Sequence, residues 1–500
     1  MVKQRGHLGN SLRSITIALS ISLAGFLYGL DTGIIATTIA HNSFKVYMYG
    51  LDGLENPSIE GGIVSGYYVG LSIGSAMSAW SMDRLSRRWS LLLGATVSVI
   101  GAIVQAAAVH PAMMIVGRML SGYSTGMVYA VAPVYLSEIS PPENRGFMVG
   151  LKGVLNTLGQ MSAGFIGLAG SYASGHLQWR IPLATQGPPA LLLCILTFFL
   201  PYSPRWLMQK EKYEESKKVM YYLHEHRGEE YIEHEYAEMY AQIRLEASRK
   251  NNNNFYALFT KRYIRRTLLG CLIVNMTKLS GNNIIQAYQS KMYAALGYEG
   301  RQVLLLTALF GIMAVIAQII SIFTLSDHWP RRRTVIWGEA SLVTMLCILT
   351  ALSRFYGDDS NPAGSRAGVA FIFMYSFCYS FFFNSVVWVV VAEIFPLDIR
   401  GVGVGFAVFS QGITAIWLSY ASSEAFATIS YWYYLVFIGT NIFAGAMYYL
   451  YLPETNQLSL EEIAAAFKDP LAQPVAKAMD MEAADDEKDQ VRAEYIETKR

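Results

Sequence analysis

Long apolar runs separated by short polar segments make up most of this 500-residue chain. Twelve of these runs reach the length of a membrane-spanning helix, which is about 20 residues. Lipid accepts only helices or closed barrels, and the runs lack the alternation of barrel strands. The predicted spans lie near residues 14–36, 62–82, 90–109, 112–136, 147–171, 181–200, 264–287, 302–325, 333–353, 367–391, 401–427 and 431–452. The pattern therefore predicts an all-α membrane protein with twelve transmembrane helices.

Charged residues are sparse and clustered. They make up 15% of the chain, against 53% hydrophobic residues, whereas soluble proteins are about a quarter charged. Residues 201–266 hold 23 charges and residues 453–500 hold 18. The net charge of +2 provides no basic face for nucleic acid. We find no nucleophile–base pair, metal cluster or phosphate loop, so we expect neither an enzyme nor a cofactor.

Positive charges in the short connections predict the orientation in the membrane. With both termini in the cytoplasm, the short inner segments carry twelve Lys and Arg residues, Lys152 among them, and the outer segments carry six. We therefore predict a cytoplasmic N-terminus (1–13), a six-helix half (14–200), a cytoplasmic central loop with short helices (201–263), a second six-helix half (264–452) and a cytoplasmic acidic tail (453–500). The tail is low in aromatic residues, and we expect disorder beyond residue 469.

Two motifs occur once in each half of the chain. DRLSRR at 83–88 is repeated as DHWPRR at 327–332, and EISPPENRG at 138–146 is repeated as EIFPLDIRG at 393–401. Parallel repeats of six helices are an architecture of secondary transporters, which bind substrate near the bilayer midplane between the repeats. The repeat thus predicts two pseudo-symmetric halves with a site between them.

A series of motifs in a characteristic order resembles the sugar porter family of the major facilitator superfamily, particularly its fungal members. Besides the two repeated motifs, they are GLDTG at 29–33, GR at 117–118, PYSPRWL at 201–207, GNN at 281–283 and LPET at 452–455 with LEE at 460–462. The resemblance covers residues 20–462. It implies a major facilitator fold and a monomeric plasma-membrane carrier that works by alternating access.

The resemblance also implies a cytoplasmic gating network that holds the outward-open state and breaks on inward opening. Its members here would be Asp83, Arg87, Arg88, Glu138, Arg145, Asp327, Arg331, Arg332, Glu393, Arg400 and Glu454. Alternatively, these charges only set the topology. Ser86 and Pro330 replace glycines of the family, and Tyr202 replaces a glutamate.

Charges inside the predicted spans are costly, about 2.5–3.5 kcal/mol each at a helix centre, so they usually face a cavity or a partner. Asp31 and Arg118 lie in the first and fourth spans, and Glu339 lies in the ninth. Proton-coupled members of the family resemble this chain in having the aspartate and the arginine. We therefore expect Asp31 to carry a proton and Arg118 to control it, with a static ion pair as the alternative.

The resemblance implies a sugar site that this chain preserves in part. Matching positions are Gln160, Asn283, Tyr288, Trp388 and Gln411. However, Gly153 stands in place of one glutamine, Thr277 and Lys278 replace a pair of glutamines, and Asn384-Ser385 replaces Gly-Pro. Lys278 is assigned to the substrate-binding set, with three roles open: neutralising a substrate carboxylate, pairing with Asp31, or extending toward an interface.

These observations predict a secondary active transporter that moves a sugar or a similar polyhydroxylated solute together with a proton. A carrier for a sugar acid, a quinate-like acid or a polyol is one alternative. An exporter of a secondary metabolite is another, and a transport-inactive nutrient sensor is a third.

Overall fold

The computed structural model describes residues 12–50, 57–141, 144–248, 254–282, 285–286, 289, 292–293, 297–298, 300–325, 328–356, 362–396, 399–456 and 467. Within these residues the secondary structure is entirely helical. The predicted all-α fold is therefore confirmed.

The N-terminal bundle, as we call α1–α8, contains the first six predicted spans. Its helices are α1 (Leu12–Ala40), α2 (Asn42–Tyr49), α3 (Pro57–Arg84), α4 (Arg87–Ala106), α5 (Pro111–Ile139), α6 (Arg145–Gly170), α7 (Leu177–Ala184) and α8 (Gly187–Thr197). Proline at the first position suits the start of α5, because its missing N–H has no partner in the first turn of a helix. The sixth predicted span is divided into α7 and α8.

Four short helices follow in the central segment: α9 (Pro204–Gln209), α10 (Tyr213–His224), α11 (Glu229–Ser248) and α12 (Asn254–Ala257). Lys217 of α10 and Glu233 of α11 form an exposed ion pair with an N–O distance of 2.8 Å. The hydrogen bond from Lys217 lowers the pKa of Glu233. Ser14 of α1 donates a hydrogen bond of 3.0 Å to the carbonyl of Leu223, so the segment is attached to the start of α1.

The C-terminal bundle, α13–α19, contains the remaining spans. Its helices are α13 (Ile264–Leu279), α14 (Arg301–Thr324), α15 (Arg331–Tyr356), α16 (Pro362–Phe382), α17 (Val386–Ile394), α18 (Arg400–Ile429) and α19 (Tyr434–Tyr451). By length and apolar composition alone, seven helical segments of the described chain qualify as membrane spans. The tenth predicted span is interrupted by a turn at 383–385, which separates α16 from α17.

The seventh predicted span is also interrupted, because α13 ends at Leu279. Gly281 has φ = +99°, a backbone conformation that side chains with a Cβ rarely adopt. Neighbouring helices satisfy the carbonyl of Ser280: Tyr375 donates to it at 3.0 Å and Asn441 at 3.1 Å. Irregular backbone at membrane depth requires such internal partners, and broken helices commonly border transport sites.

The two bundles pack against each other through two pairs of long helices. α3 contacts α18, and α6 contacts α14. Small residues line both contacts, with Gly405 against Ser78 in the first and Gly164 against Ala308 in the second. Close approach of backbones replaces the hydrophobic effect as the source of association in lipid. The space between the two contacts contains the cavity described next.

Candidate functional site

A cavity of about 600 Å³, including the open space at its mouth, lies between the bundles. Both bundles contribute to its wall, and amide, hydroxyl and aromatic side chains predominate. The lining residues that bear on the chemistry are Tyr28, Tyr129, Asn156, Gln160, Thr277, Lys278, Asn282, Gln286, Tyr379, Asn384, Trp388 and Gln411. Such a lining offers many hydrogen-bond donors and acceptors to a small polar solute.

Aromatic rings form one side of this cavity. Tyr28 and Tyr129 are stacked with centroids 4.0 Å apart and an interplanar angle of 13°. Trp388 meets Tyr129 edge-on, with centroids 4.4 Å apart. Tyr28 and Tyr129 belong to the N-terminal bundle and Trp388 to α17 of the C-terminal bundle, so the aromatic face crosses the boundary between them.

Hydrogen bonds to neighbouring residues fix the orientation of the amide side chains near these rings. Asn156 donates to Oδ1 of Asn384 at 2.9 Å, which links α6 to the turn before α17. Gln411 donates to the carbonyl of Val274 at 3.2 Å and to Oγ1 of Thr277 at 2.5 Å. Four of the predicted substrate-binding residues line this one cavity: Gln160, Lys278, Trp388 and Gln411. Asn283 and Tyr288 lie outside the described residues.

Gly153 and Ser385 both differ from the residues that the family has at these positions, and their contact with each other explains the two differences. A Cβ at Gly153 would overlap the hydroxyl of Ser385 and would lie 3.2 Å from Nε2 of Gln318. Ser385 also donates to the carbonyl of Gly150 at 3.3 Å and accepts a hydrogen bond from Gln318. The missing glutamine of α6 therefore leaves room for the unusual turn between α16 and α17.

Lys278 lies in the cavity wall near the C-terminal end of α13. Its side chain is buried, and its Nζ donates a hydrogen bond of 2.7 Å to the hydroxyl of Tyr28 across the bundle boundary. Within the described part of the chain, no ion pair joins Lys278 to Asp31. The contact with Tyr28, one turn before Asp31 on α1, connects the lysine to the helix that carries the aspartate.

Asp31 is completely buried in the interior of α1, with 0% exposure. Its Oδ2 accepts a hydrogen bond of 2.8 Å from Thr125 of α5. Oδ1 has no hydrogen-bond partner among the residues that the structure describes. Arg118 donates to the backbone carbonyl of Asp31 at 3.1 Å, and its guanidinium lies over the ring of Tyr67. The arginine is thus adjacent to the aspartate without forming a direct carboxylate–guanidinium pair.

Lys152 is located differently from the sequence expectation. The charge pattern assigns it to a cytoplasmic segment, but it lies in the interior of α6 with 1% exposure. Its Nζ is 3.3 Å from the ring centroid of Tyr129 and 3.9 Å from that of Trp388. Helical spacing provides the missed signal, because residues 152, 156 and 160 share one face of α6.

Carboxylates at the C-terminal ends of α5 and α17 form a buried cluster with arginines at the N-terminal ends of neighbouring helices, α6 and α18 among them. Arg87 and Glu138 pair at 2.8 Å within the N-terminal bundle. Two longer pairs cross between the bundles: Arg145 to Glu393 at 3.6 Å, and Arg400 to Glu138 at 4.0 Å. These five members of the predicted gating network lie together.

The other predicted members of the network have mixed locations. Glu454 accepts hydrogen bonds from the backbone N–H groups of Arg331 and Arg332, at 2.7 and 3.3 Å, so it caps the start of α15. Arg88 donates to the carbonyl of Phe198 at 2.7 Å. Asp83 lies near Gly401 at the contact between α3 and α18. Asp327 lies outside the described residues.

Comparison with known proteins shows the family of the chain. A family model described as "Sugar (and other) transporter" matches residues 17–467, which is most of the chain. The chain belongs to this family. A galactose-proton symporter from Escherichia coli is 28% identical over 473 residues, covering 92% of this chain and 96% of the relative. The glucose transporter HXT1 of Saccharomyces cerevisiae is 27% identical, covering 89% and 80%.

Solved structures of a membrane transporter show the same fold. The proton:xylose symporter XylE bound to 6-bromo-6-deoxy-D-glucose has a TM-score of 0.81 at 22% identity, covering 92% of this chain and 100% of XylE. An inward-open form of XylE from E. coli scores 0.68 at 21% identity, with 91% and 99% coverage. The chain is therefore a multi-pass membrane protein with the major facilitator fold, as the sequence predicts.

Proposed function

We propose that this family member is a proton-coupled carrier for a small polyhydroxylated solute, with Asp31 as the proton-binding group. The buried carboxylate of Asp31 carries this proposal. Its Oδ1 lacks a described hydrogen-bond partner and its neighbour Arg118 bonds to the backbone instead. A carboxylate in that position can take up a proton without first breaking an ion pair.

The contacts of α1 connect protonation to the substrate cavity. Tyr28 lies one helical turn from Asp31, lines the cavity and accepts the hydrogen bond from Lys278. A solute that engages Lys278 or Tyr28 would change the contact between α1 and α13. Protonation of Asp31 would act on the same helix, so α1 would connect the two events.

The substrate would bind against the aromatic face and the surrounding amides. Trp388 offers a ring for stacking, and Gln160 and Gln411 offer amide groups for hydroxyls. Asn283 and Tyr288 are proposed to complete the site. The named substrates of the relatives are sugars, in the galactose-proton symporter and the glucose transporter, which supports a sugar-like solute.

The buried charge cluster would serve as the cytoplasmic gate. The pairs Arg145–Glu393 and Arg400–Glu138 connect the bundles at one end, and they would separate when that end opens. We propose that Asp83, Arg88, Asp327, Arg331, Arg332 and Glu454 stabilise the helix ends around this gate.

The proposed setting is a monomer in the plasma membrane with both termini in the cytoplasm. The six-helix halves would span 14–200 and 264–452, connected by the cytoplasmic segment 201–263 and followed by a cytoplasmic tail. Protons and the solute would be its partners within the lipid bilayer. No enzymatic role is proposed, because the named relatives are transporters.

Reconstituted full-length protein tests this function directly. Proteoliposomes with an inward proton gradient would be offered radiolabelled hexoses, pentoses, polyols and sugar acids one at a time. The proposal requires that at least one solute accumulates above its external concentration and that a protonophore abolishes the accumulation. Transport that only equilibrates each solute, or no transport of any of them, would contradict it.

A further inference from the structure

Among the described residues that line the cavity, the ionisable side chains of Lys, Arg, Asp and Glu are represented by a lysine alone. Lys278 lies in its wall, and among the described residues that line it there is no aspartate or glutamate. Nζ of Lys152 lies against Tyr129 and Trp388, two other lining residues. One lysine belongs to each bundle, so a basic group approaches the solute path from each of them.

A chain of aromatic contacts connects the two lysine side chains. Lys278 is bonded to Tyr28, Tyr28 stacks on Tyr129, and Lys152 lies over Tyr129. The two lysines are thus connected through the stacked rings of Tyr28 and Tyr129. Nζ of Lys152 has no hydrogen-bond partner in the described part of the chain, and its contacts there are with ring faces.

Among the described residues, the buried carboxylates Asp31 and Glu339 are not part of the cavity wall. Asp31 is adjacent to Arg118 and is hydrogen-bonded to Thr125. Glu339, the buried carboxylate of α15, lies near Gly445 of α19 and outside the cavity wall. Protonation of Asp31 during transport would make the region more positive still. Buried charges are costly unless a counter-charge accompanies them.

We infer that the transported solute is a polyhydroxylated carboxylate, a sugar acid, whose carboxylate is held by Lys278 with Lys152 adding attraction from behind the aromatic face. This inference rests on the proposed transport function and specifies its substrate class. The amides and Trp388 would contact the hydroxylated ring, as they would for a neutral sugar. Because the described lining contains no carboxylate, the solute would bring the negative charge to this wall.

Coupling to one proton gives this substrate class a distinct electrical signature. A monocarboxylate and one proton together carry no net charge, so their entry would be electroneutral. A neutral sugar entering with one proton carries one positive charge, and an inside-negative membrane potential would accelerate it. The effect of membrane potential therefore reports the charge of the solute without any substitution in the protein.

D-Glucuronate and D-glucose provide a matched pair of probes, since they differ only in the oxidation of C6. Counterflow in proteoliposomes would measure their apparent affinities for the wild type, Lys278→Met, Lys278→Arg and Lys152→Met. Lys210→Met, at an exposed position of the central segment, is the matched control. We expect the wild type to prefer glucuronate and Lys278→Met to lose about 10- to 100-fold in its affinity, because charge-assisted hydrogen bonds are the stronger class.

The other variants distinguish the effect of the lysine charge from the effect of the side-chain shape. Lys278→Arg should recover part of the affinity for glucuronate, Lys152→Met should lose affinity by a smaller factor, and the control should match the wild type. Glucuronate uptake should be insensitive to a potassium–valinomycin potential. Wild-type preference for glucose, together with potential-driven uptake, would overturn the inference but leave the proposed function intact. Absence of counterflow for both probes and for the wider solute panel would instead count against the proposed function.

Discussion

Arg145 of α6 lies 3.6 Å from Glu393 of α17, so an arginine of the N-terminal bundle faces a carboxylate of the C-terminal bundle. The equivalent residues of the repeat make the reciprocal contact, with Arg400 at 4.0 Å from Glu138. The duplicated motif thus pairs with its own copy across the boundary. These reciprocal pairs relate the proposed cytoplasmic gate to the repeat of the motif in the two halves of the chain.

Removing one of these carboxylates should open the gate. In Glu393→Gln, the attraction to Arg145 is lost while the size of the side chain is retained. Spin labels at Arg84 and Thr324, exposed ends of α3 and α14, would report the separation of the bundles. We expect a larger population of long distances. Glu225→Gln, which removes an exposed ion pair with Arg13, should leave the distribution unchanged.

Substitutions in the cavity wall should weaken substrate binding without affecting folding. Gln160→Ala removes a neutral hydrogen bond, which is usually worth about 0.5–1.5 kcal/mol, so the half-saturation concentration should rise up to about tenfold. Trp388→Ala should have a larger effect, because it removes the stacking surface and exposes Lys152. Counterflow kinetics measure both effects, with Trp337→Ala at an exposed site of α15 as the control. Unchanged kinetics in both cavity variants would place the site elsewhere.

The contact between Gly153 and Ser385 predicts a coupled effect on stability. Gly153→Ala would force the neighbouring turn to shift, at a cost of about 1–3 kcal/mol for overpacking. Ser385→Gly removes the overlapping hydroxyl, so the double variant should recover part of the loss. Thermal unfolding in detergent provides the measurement. Simple additivity of the two changes would show that the residues do not interact.

Ser86 predicts a stabilising substitution. Its backbone has φ = +90° and ψ = +165°, a region that is nearly restricted to glycine. Ser86→Gly should therefore raise the melting temperature, with a gain of about 1 kcal/mol. Ser90→Gly, inside α4, should have the opposite effect, because glycine weakens a helix interior. A decrease in stability for Ser86→Gly would contradict this reading of the turn.

The fold was predictable because a bilayer imposes a simple requirement on length and apolarity. The runs near 302–325 and 333–353 correspond closely to α14 and α15 for that reason. The interruptions after Leu279 and around Ser385 were not predicted as breaks, since apolarity continues through them. They depend on partners from other helices, such as Tyr375 and Asn441, which no local pattern contains.

The candidate site was predictable where a motif fixed the register, as at Gln160 and Trp388. Lys152 was assigned to a loop because counting positive charges near span ends ignores the helical face. The place of Glu454 in the gating network stays a prediction, and the sequence did not predict its hydrogen bonds from the backbone N–H groups of Arg331 and Arg332 at the start of α15. Such contacts depend on how the chain end folds back. The roles of Asn283, Tyr288 and Asp327 remain predictions.

Proton coupling through Asp31 is the central claim, and Asp31→Asn tests it most directly. The variant keeps the side-chain size and can still accept the hydrogen bond from Thr125, but it cannot exchange a proton. Accumulation against a gradient and counterflow would be measured in the same proteoliposomes, with Glu214→Gln at an exposed site of α10 as the control. We predict that Asp31→Asn loses accumulation and its dependence on external pH, while counterflow persists. Full concentrative uptake by Asp31→Asn, with the pH dependence of the wild type, would contradict the account.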